Sequence, residues 1–205
     1  MAALSQPIPA MTEMTEAEYL VFERGSELRH EYFAGAIFAM TGASWNHNVI
    51  CVNISTSLNV QIADRDCTVT AGDLRLKVVA TRSYRYPDVM VICDDPQFID
   101  ERVDTISNPT VVIEVVSPST ALVDRYEKLD EYLRLDSLQE YVIVSQHEAK
   151  IERYLRQIDP GGDWLYTQVI GLQSSINLPS ISCKLLLSDI YKKVTLGNRD
   201  DKRAQ

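Results

Sequence analysis

Val111-Val112-Ile113-Glu114-Val115-Val116 is an apolar run broken by a single carboxylate, and Pro87-Asp88-Val89-Met90-Val91-Ile92 is a second run of the same kind. Continuous rather than alternating β-branched residues predict strands covered on both faces, so the two runs read as the centre of a sheet. An acid in such a strand is costly to bury unless it is hydrogen-bonded, paired with a cation or bound to a metal. Projecting from neighbouring strands, Asp88 and Glu114 would make a compact oxygen-ligand site of the kind that suits Mg2+ or Mn2+, with water in the remaining positions. The alternative is that each acid pairs with Arg75, Lys77 or Arg85, or caps a turn after Pro87.

Outward from these strands, Thr15-Glu-Ala-Glu-Tyr-Leu-Val-Phe-Glu predicts a short capped helix ending near Gly25, and residues 31–40 predict a hairpin turning at Gly35. Ser44 to Ile62 carries a helical stripe, and Leu74, Leu76 and Val78 alternate with Arg75 and Lys77 as in a strand with one wet face. Leu122–Leu135 has Leu122, Tyr126, Leu129 and Leu133 at helical spacing. Further strands are expected at Cys67–Thr70, Tyr141–Ser145, Lys150–Arg156 and Trp164–Ile170, with Pro160-Gly161-Gly162 turning between the last two and a short helix within 186–194. This order predicts an α/β or α+β domain on one mixed sheet, spanning residues 15–195 between a loose arm (1–14) and a polar tail (196–205).

A length of 205 residues fits one domain, and 45% hydrophobic with 24% charged residues exclude a disordered or fibrous chain. The net charge of −9 is concentrated: residues 1–27 hold five acids and one base, residues 88–104 six acids and one base, and the rest is balanced. That acidity argues against a broad basic face for nucleic acid, but Arg75, Lys77, Arg82, Arg85 and Arg125 leave room for a local basic groove. Four cysteines without a CxxC pair predict free thiols in a reducing cytosol, and no apolar stretch is long enough for a membrane span.

After Glu114, Ser119 or Thr120 can cap the next helix, and Lys128, about two turns in, has a stem long enough to reach back to a carboxylate. Its plainer role is an i,i+4 pair with Asp124. At this point Tyr86-Pro87-Asp88-Val89-Met90-Val91, Glu114-Val115-Val116-Ser117-Pro118-Ser119-Thr120, the spaced Asp124, Lys128 and Tyr132, and Glu140-Tyr141 resemble the Uma2 family. Arg29-His30-Glu31-Tyr32 with Gly35, His47 with Ile50, and Asp73-Leu74-Arg75 extend the resemblance over roughly residues 15–195. That family is similar to the restriction-endonuclease-like PD-(D/E)XK nucleases, whose mixed sheet flanked by helices holds Asp, Glu and Lys around a divalent metal.

The resemblance implies that Asp88 and Glu114 hold Mg2+ or Mn2+ and that Lys128 stands in for the usual lysine, whose place is taken by Val116. It also implies that Glu31 is an additional metal or water contact, against the alternative of a surface charge on the hairpin edge; His47 matches too, although a packed histidine is the plainer reading. The implied activity is a cytoplasmic, metal-dependent endonuclease acting on nucleic acid, DNA in the first instance, in a homodimer as related nucleases often are. Val116 and the acidic balance favour the competing reading, a non-catalytic nuclease-like binding or assembly protein. A different hydrolase is the third and weakest reading, because Gly42-Ala43-Ser44-Trp45-Asn46 lacks the final glycine of a nucleophile elbow.

Overall fold

The computed structural model describes residues 14–40, 42–117, 126–158 and 163–197. Helix α1 (Glu16–Gly25) starts at Thr15, whose hydroxyl accepts from the Glu18 amide while the Glu18 carboxylate takes the Thr15 amide at 2.8 Å, so two otherwise orphaned donors are satisfied. Strands β1 (His30–Phe33) and β2 (Ala36–Ala39) form the expected hairpin, its two-residue turn made by Ala34 and Gly35 at φ 50° and 89°. Helix α2 (Trp45–Gln61) buries Ile50, Ile54 and Leu58, one residue per turn. Strands β3 (Thr68–Ala71), β4 (Arg75–Val78), β5 (Ser83–Arg85), β6 (Val89–Ile92), β7 (Thr105–Ile106) and β8 (Val111–Val116) follow. The chain closes with α3 (Lys128–Tyr132), β9 (Glu140–Ser145), β10 (Lys150–Arg156), β11 (Trp164–Ile170), the hairpin β12 (Ser175–Leu178) and β13 (Cys183–Leu186), and α4 (Leu187–Ile190).

The two apolar runs are indeed neighbours at the centre of a six-stranded sheet of order β11-β10-β9-β8-β6-β3, in which β8 runs antiparallel to β6 and parallel to β9. Alternation along β8 sends Val111, Ile113 and Val115 into a core under α2, β12, β13 and α4, and Val112 and Val116 into a second core that includes Tyr132 and Leu135. Covering both faces explains why β8 carries no alternation of polar and apolar residues.

The single sheet expected from sequence is in fact three: the six-stranded sheet, a five-stranded one of order β2-β1-β5-β4-β7, and the β12-β13 pair. The break falls where Pro87, which has no amide to donate, separates β5 from β6; β5 then pairs with β1 and β4, and β6 with β3 and β8. Strand β4 has no wet face either: Arg75 is buried with its guanidinium 2.6 Å from Asp104, and Lys77 lies 2.8 Å from Glu16. Nor are all four cysteines free thiols, since the β3–β6 register Thr68↔Ile92 sets Cys67 opposite Cys93 and the two form a disulfide.

Met14, assigned to the loose arm, is buried, and its amide donates to the Gly35 carbonyl at 2.9 Å. At the other end the Gly197 amide donates to the His147 carbonyl at 2.9 Å. The start of the 122–135 helix with its caps, and the Pro160-Gly161-Gly162 turn, lie outside the described residues. Among the described residues no helix is long and apolar enough to cross a membrane.

Candidate active site

The register Val89↔Ile113 places Asp88 across from Glu114, one step beyond the pair and at the mouth of the sheet. The Asp88 carboxylate is fixed by the Val115 amide, which donates to Oδ2 at 2.7 Å, and the Asp88 amide points at Glu114 Oε2 at 3.4 Å. Glu114 is 3% exposed and faces α3, from which Lys128 Nζ at 3.1 Å and the Tyr132 hydroxyl at 2.9 Å both donate to Oε1. Burial, and then the Glu114 charge, push the Tyr132 hydroxyl well up, which keeps it a donor.

Lys128 therefore does not extend into solvent. Its Nζ lies 3.1 Å from Glu31 Oε1 as well as 3.1 Å from Glu114, so the ammonium is held between carboxylates from β1 and β8. Glu31 in turn receives Arg85 Nη1 at 2.8 Å, and Arg85 is locked by Glu131, to which Nε donates at 3.1 Å and Nη2 in a second, shorter bond. Burial pushes the Glu31 carboxyl up, but Lys128 and Arg85 outweigh it and hold the group below its ordinary value. The structure thus brings together all four residues singled out in the sequence, Asp88, Glu114, Lys128 and Glu31, and Glu31 is no exposed charge on a hairpin edge.

His47, in the first turn of α2, places Nε2 3.0 Å from Asp88 Oδ1 and Nδ1 3.6 Å from the Cys51 thiol. Ser44 caps that turn by accepting the His47 amide at 3.1 Å. Ser44→Ala is expected to cost about 1 kcal/mol of stability, read as a lower urea midpoint, because that amide loses its partner.

Three of the five residues named for a basic groove are engaged in ion pairs instead, and Arg82 is exposed. Arg75 is paired with Asp104, Lys77 with Glu16, and Arg85 with Glu31 and Glu131, while Arg125 lies outside the described residues. Arg24 also clasps Asp100 at 2.7 Å and Asp104 at 2.8 Å, so part of the acidic 88–104 segment is neutralised within the fold. Hydrogen bonds from Arg24, and then from Arg75 against some burial, hold the Asp104 carboxyl far below its ordinary value of 3.8. A depressed native value means stabilisation that is full above the unfolded-state value and lost as pH falls. Glu140, raised by burial, contributes with the opposite sign. With Glu31 and Asp104 both depressed, the urea midpoint is expected to fall progressively as pH drops below about 5, and less steeply in Asp104→Asn.

Glu140, part of the motif pattern, sits opposite Val111 at the far end of β8 and accepts from the Ser180 amide at 2.9 Å, which makes it a structural carboxylate away from the site. Arg85, Glu131 and Cys51 were not assigned to the site from sequence. The available signals were Glu131 and Tyr132 three and four residues after Lys128, on one helical face, and Cys51 four residues after His47.

The donor chemistry fits a divalent cation. The two carboxylates come from cross-strand partner positions, each already oriented through one oxygen, and the His47 imidazole stands beside Asp88. Asp88 and Glu114 are the residues that would hold it.

Comparison with known proteins gives a consistent result. The sequence profile of the Uma2 family, described as "Putative restriction endonuclease", matches residues 16–187. Two uncharacterized proteins of Synechocystis sp. are similar: sll1609 is 36% identical over 80% of this chain and 91% of its own length, and slr1290 is 36% identical over 92% and 95%. A crystal structure from Anabaena variabilis, titled as a putative nuclease belonging to DUF820, superposes with a TM-score of 0.70 over 89% of this chain and 99% of that one. At 17% identity that likeness speaks for the fold, a nuclease-like mixed sheet flanked by helices.

Proposed function

The chain belongs to the Uma2 family, and from that premise we propose that it is a divalent-metal-dependent nuclease hydrolysing phosphodiester bonds, with DNA as the first substrate to test. The observation that carries the reading is the convergence of Asp88, Glu114 and Lys128 from two adjacent strands and a helix, with Glu114 and Lys128 in direct contact at 3.1 Å. Mg2+ or Mn2+ held by Asp88 and Glu114 would supply Lewis-acid activation of water and charge neutralisation at the scissile phosphate.

The remaining work falls to the chain's own groups. Val115 and Tyr132 fix one oxygen of each carboxylate, so the pair is oriented before substrate arrives. Lys128 is a donor and a localised positive charge; it orients the attacking water and offsets negative charge developing on the phosphate. Glu31 is a positioning residue, since it holds Lys128 at 3.1 Å while being anchored by Arg85. Val116 can be apolar because Lys128 reaches Glu114 from α3 instead of from β8.

The test is cleavage of single- and double-stranded DNA and RNA by the purified protein with Mg2+ or Mn2+, beside Lys128→Ala checked for folding by circular dichroism. Chelator-sensitive cleavage that falls on the order of a hundredfold in Lys128→Ala is expected. Equal cleavage by both proteins would overturn the role of Lys128.

A further inference from the structure

We propose that His47, Cys51 and Asp88 form a second metal site, selective for a thiophilic divalent ion of the Zn2+ class, which shares Asp88 with the catalytic pair. His47 and Cys51 stand four residues apart on one face of α2, and Asp88 meets them from the head of β6. With one ligand atom taken from each residue, the three lie within 4.8 Å of one another; the present contacts use opposite imidazole nitrogens, Nε2 at 3.0 Å from Asp88 Oδ1 and Nδ1 at 3.6 Å from Cys51 Sγ, of which a single ion takes one. Metal bonds of about 2.0–2.3 Å in tetrahedral geometry separate neighbouring ligand atoms by about 3.4–3.7 Å, so atoms within 4.8 Å close on an ion by drawing together about 1 Å through side-chain rotation, with a fourth position left for water. The His47 and Asp88 side chains are 18% and 19% exposed, which gives an ion a way in.

The ligand types set the selectivity. A thiolate and an imidazole favour Zn2+, whereas Mg2+ favours the all-oxygen pair of Asp88 and Glu114. On binding, the S–H bond of Cys51 breaks, its proton leaves to solvent, and the metal–sulfur bond forms. Burial, and after it the Asp88 and Glu114 charges, push the free thiol up; with an ion bound, those charges would face a cation beside the thiolate. Because Asp88 is common to both sites, Zn2+ and Mg2+ exclude each other, and Zn2+ is a competitive inhibitor. That consequence rests on the nuclease reading; the binding itself does not.

The experiment is a Co2+ titration of chelator-stripped protein, read by the near-ultraviolet thiolate-to-cobalt charge-transfer band and the visible bands of four-coordinate Co2+. Wild type is expected to show both, and Zn2+ to bleach them. The charge-transfer band is lost in Cys51→Ser and in His47→Gln, and retained in Cys183→Ser, which removes the other free thiol among the described residues. No band in wild type, or a band persisting in Cys51→Ser, overturns the proposal. In parallel, Mn2+ retention by paramagnetic resonance is unchanged in Cys51→Ser, and the Zn2+ concentration that halves cleavage rises about tenfold or more. Mn2+ retention absent from wild type with the cobalt band present would overturn the nuclease reading and support the thiophilic site.

Discussion

Asp88→Asn is expected to abolish Mn2+ retention and to lower metal-dependent cleavage on the order of a thousandfold. The substitution keeps the side-chain volume and an oxygen for the Val115 amide, which donates to Oδ2 at 2.7 Å, so the strand mouth has no steric reason to rearrange. What it removes is the negative charge, and with it half of the carboxylate pair that would face the cation. Asp73→Asn is the matched control: Asp73 also belongs to the motif pattern, yet it is exposed and 3.6 Å from Arg29, a pair of the sort that contributes little. The effect is checked by titrating Mn2+ under paramagnetic resonance and by timing cleavage at saturating metal. A variant that cleaves as fast as wild type would remove Asp88 from the site.

The largest stability effect is expected at Arg85. Its guanidinium is 3% exposed and serves two carboxylates, Glu31 from β1 and Glu131 from α3, themselves 12% and 3% exposed. Arg85→Ala leaves both anions buried, Glu131 without its cation and Glu31 with Lys128 as its remaining ion pair. Breaking one side of a buried ion pair costs about 3–5 kcal/mol, a large part of a domain's total stability. Urea unfolding followed by circular dichroism reads this directly. The double variant Arg85→Leu with Glu131→Leu should recover much of the loss, because it removes a charge of each sign, while cleavage stays low since Glu31 and Lys128 have lost their anchor. A loss below about 1 kcal/mol in Arg85→Ala would show that the network is well solvated.

These two residues also show where sequence reasoning reaches and where it stops. Asp88 and Glu114 are legible because each is a local anomaly, a single acid in an apolar strand, and the anomaly carries its own physical question. Lys128 needs a helix and its direction, which the apolar spacing of Leu122–Leu135 suggests. Arg85 with Glu131 is different: forty-six residues separate them, and their contact depends on β5 leaving the central sheet at Pro87 to pair with β1 and β4. Nothing in Ser83-Tyr84-Arg85 states that departure, so the single expected sheet became three and the arginine set aside for a basic groove turned out to brace the site. The Cys67–Cys93 bond is hidden for the same reason, since it follows from a strand register that only the folded sheet defines.

The central claim is that Asp88 and Glu114 hold the metal of a nuclease, and the most direct measurement is an anomalous difference map from crystals of the chain grown or soaked with Mn2+. The account predicts a peak between the two carboxylates, about 2.0–2.2 Å from an oxygen of each, absent from Asp88→Asn crystals treated alike. Bound Mn2+ elsewhere, with no peak between Asp88 and Glu114, would contradict it.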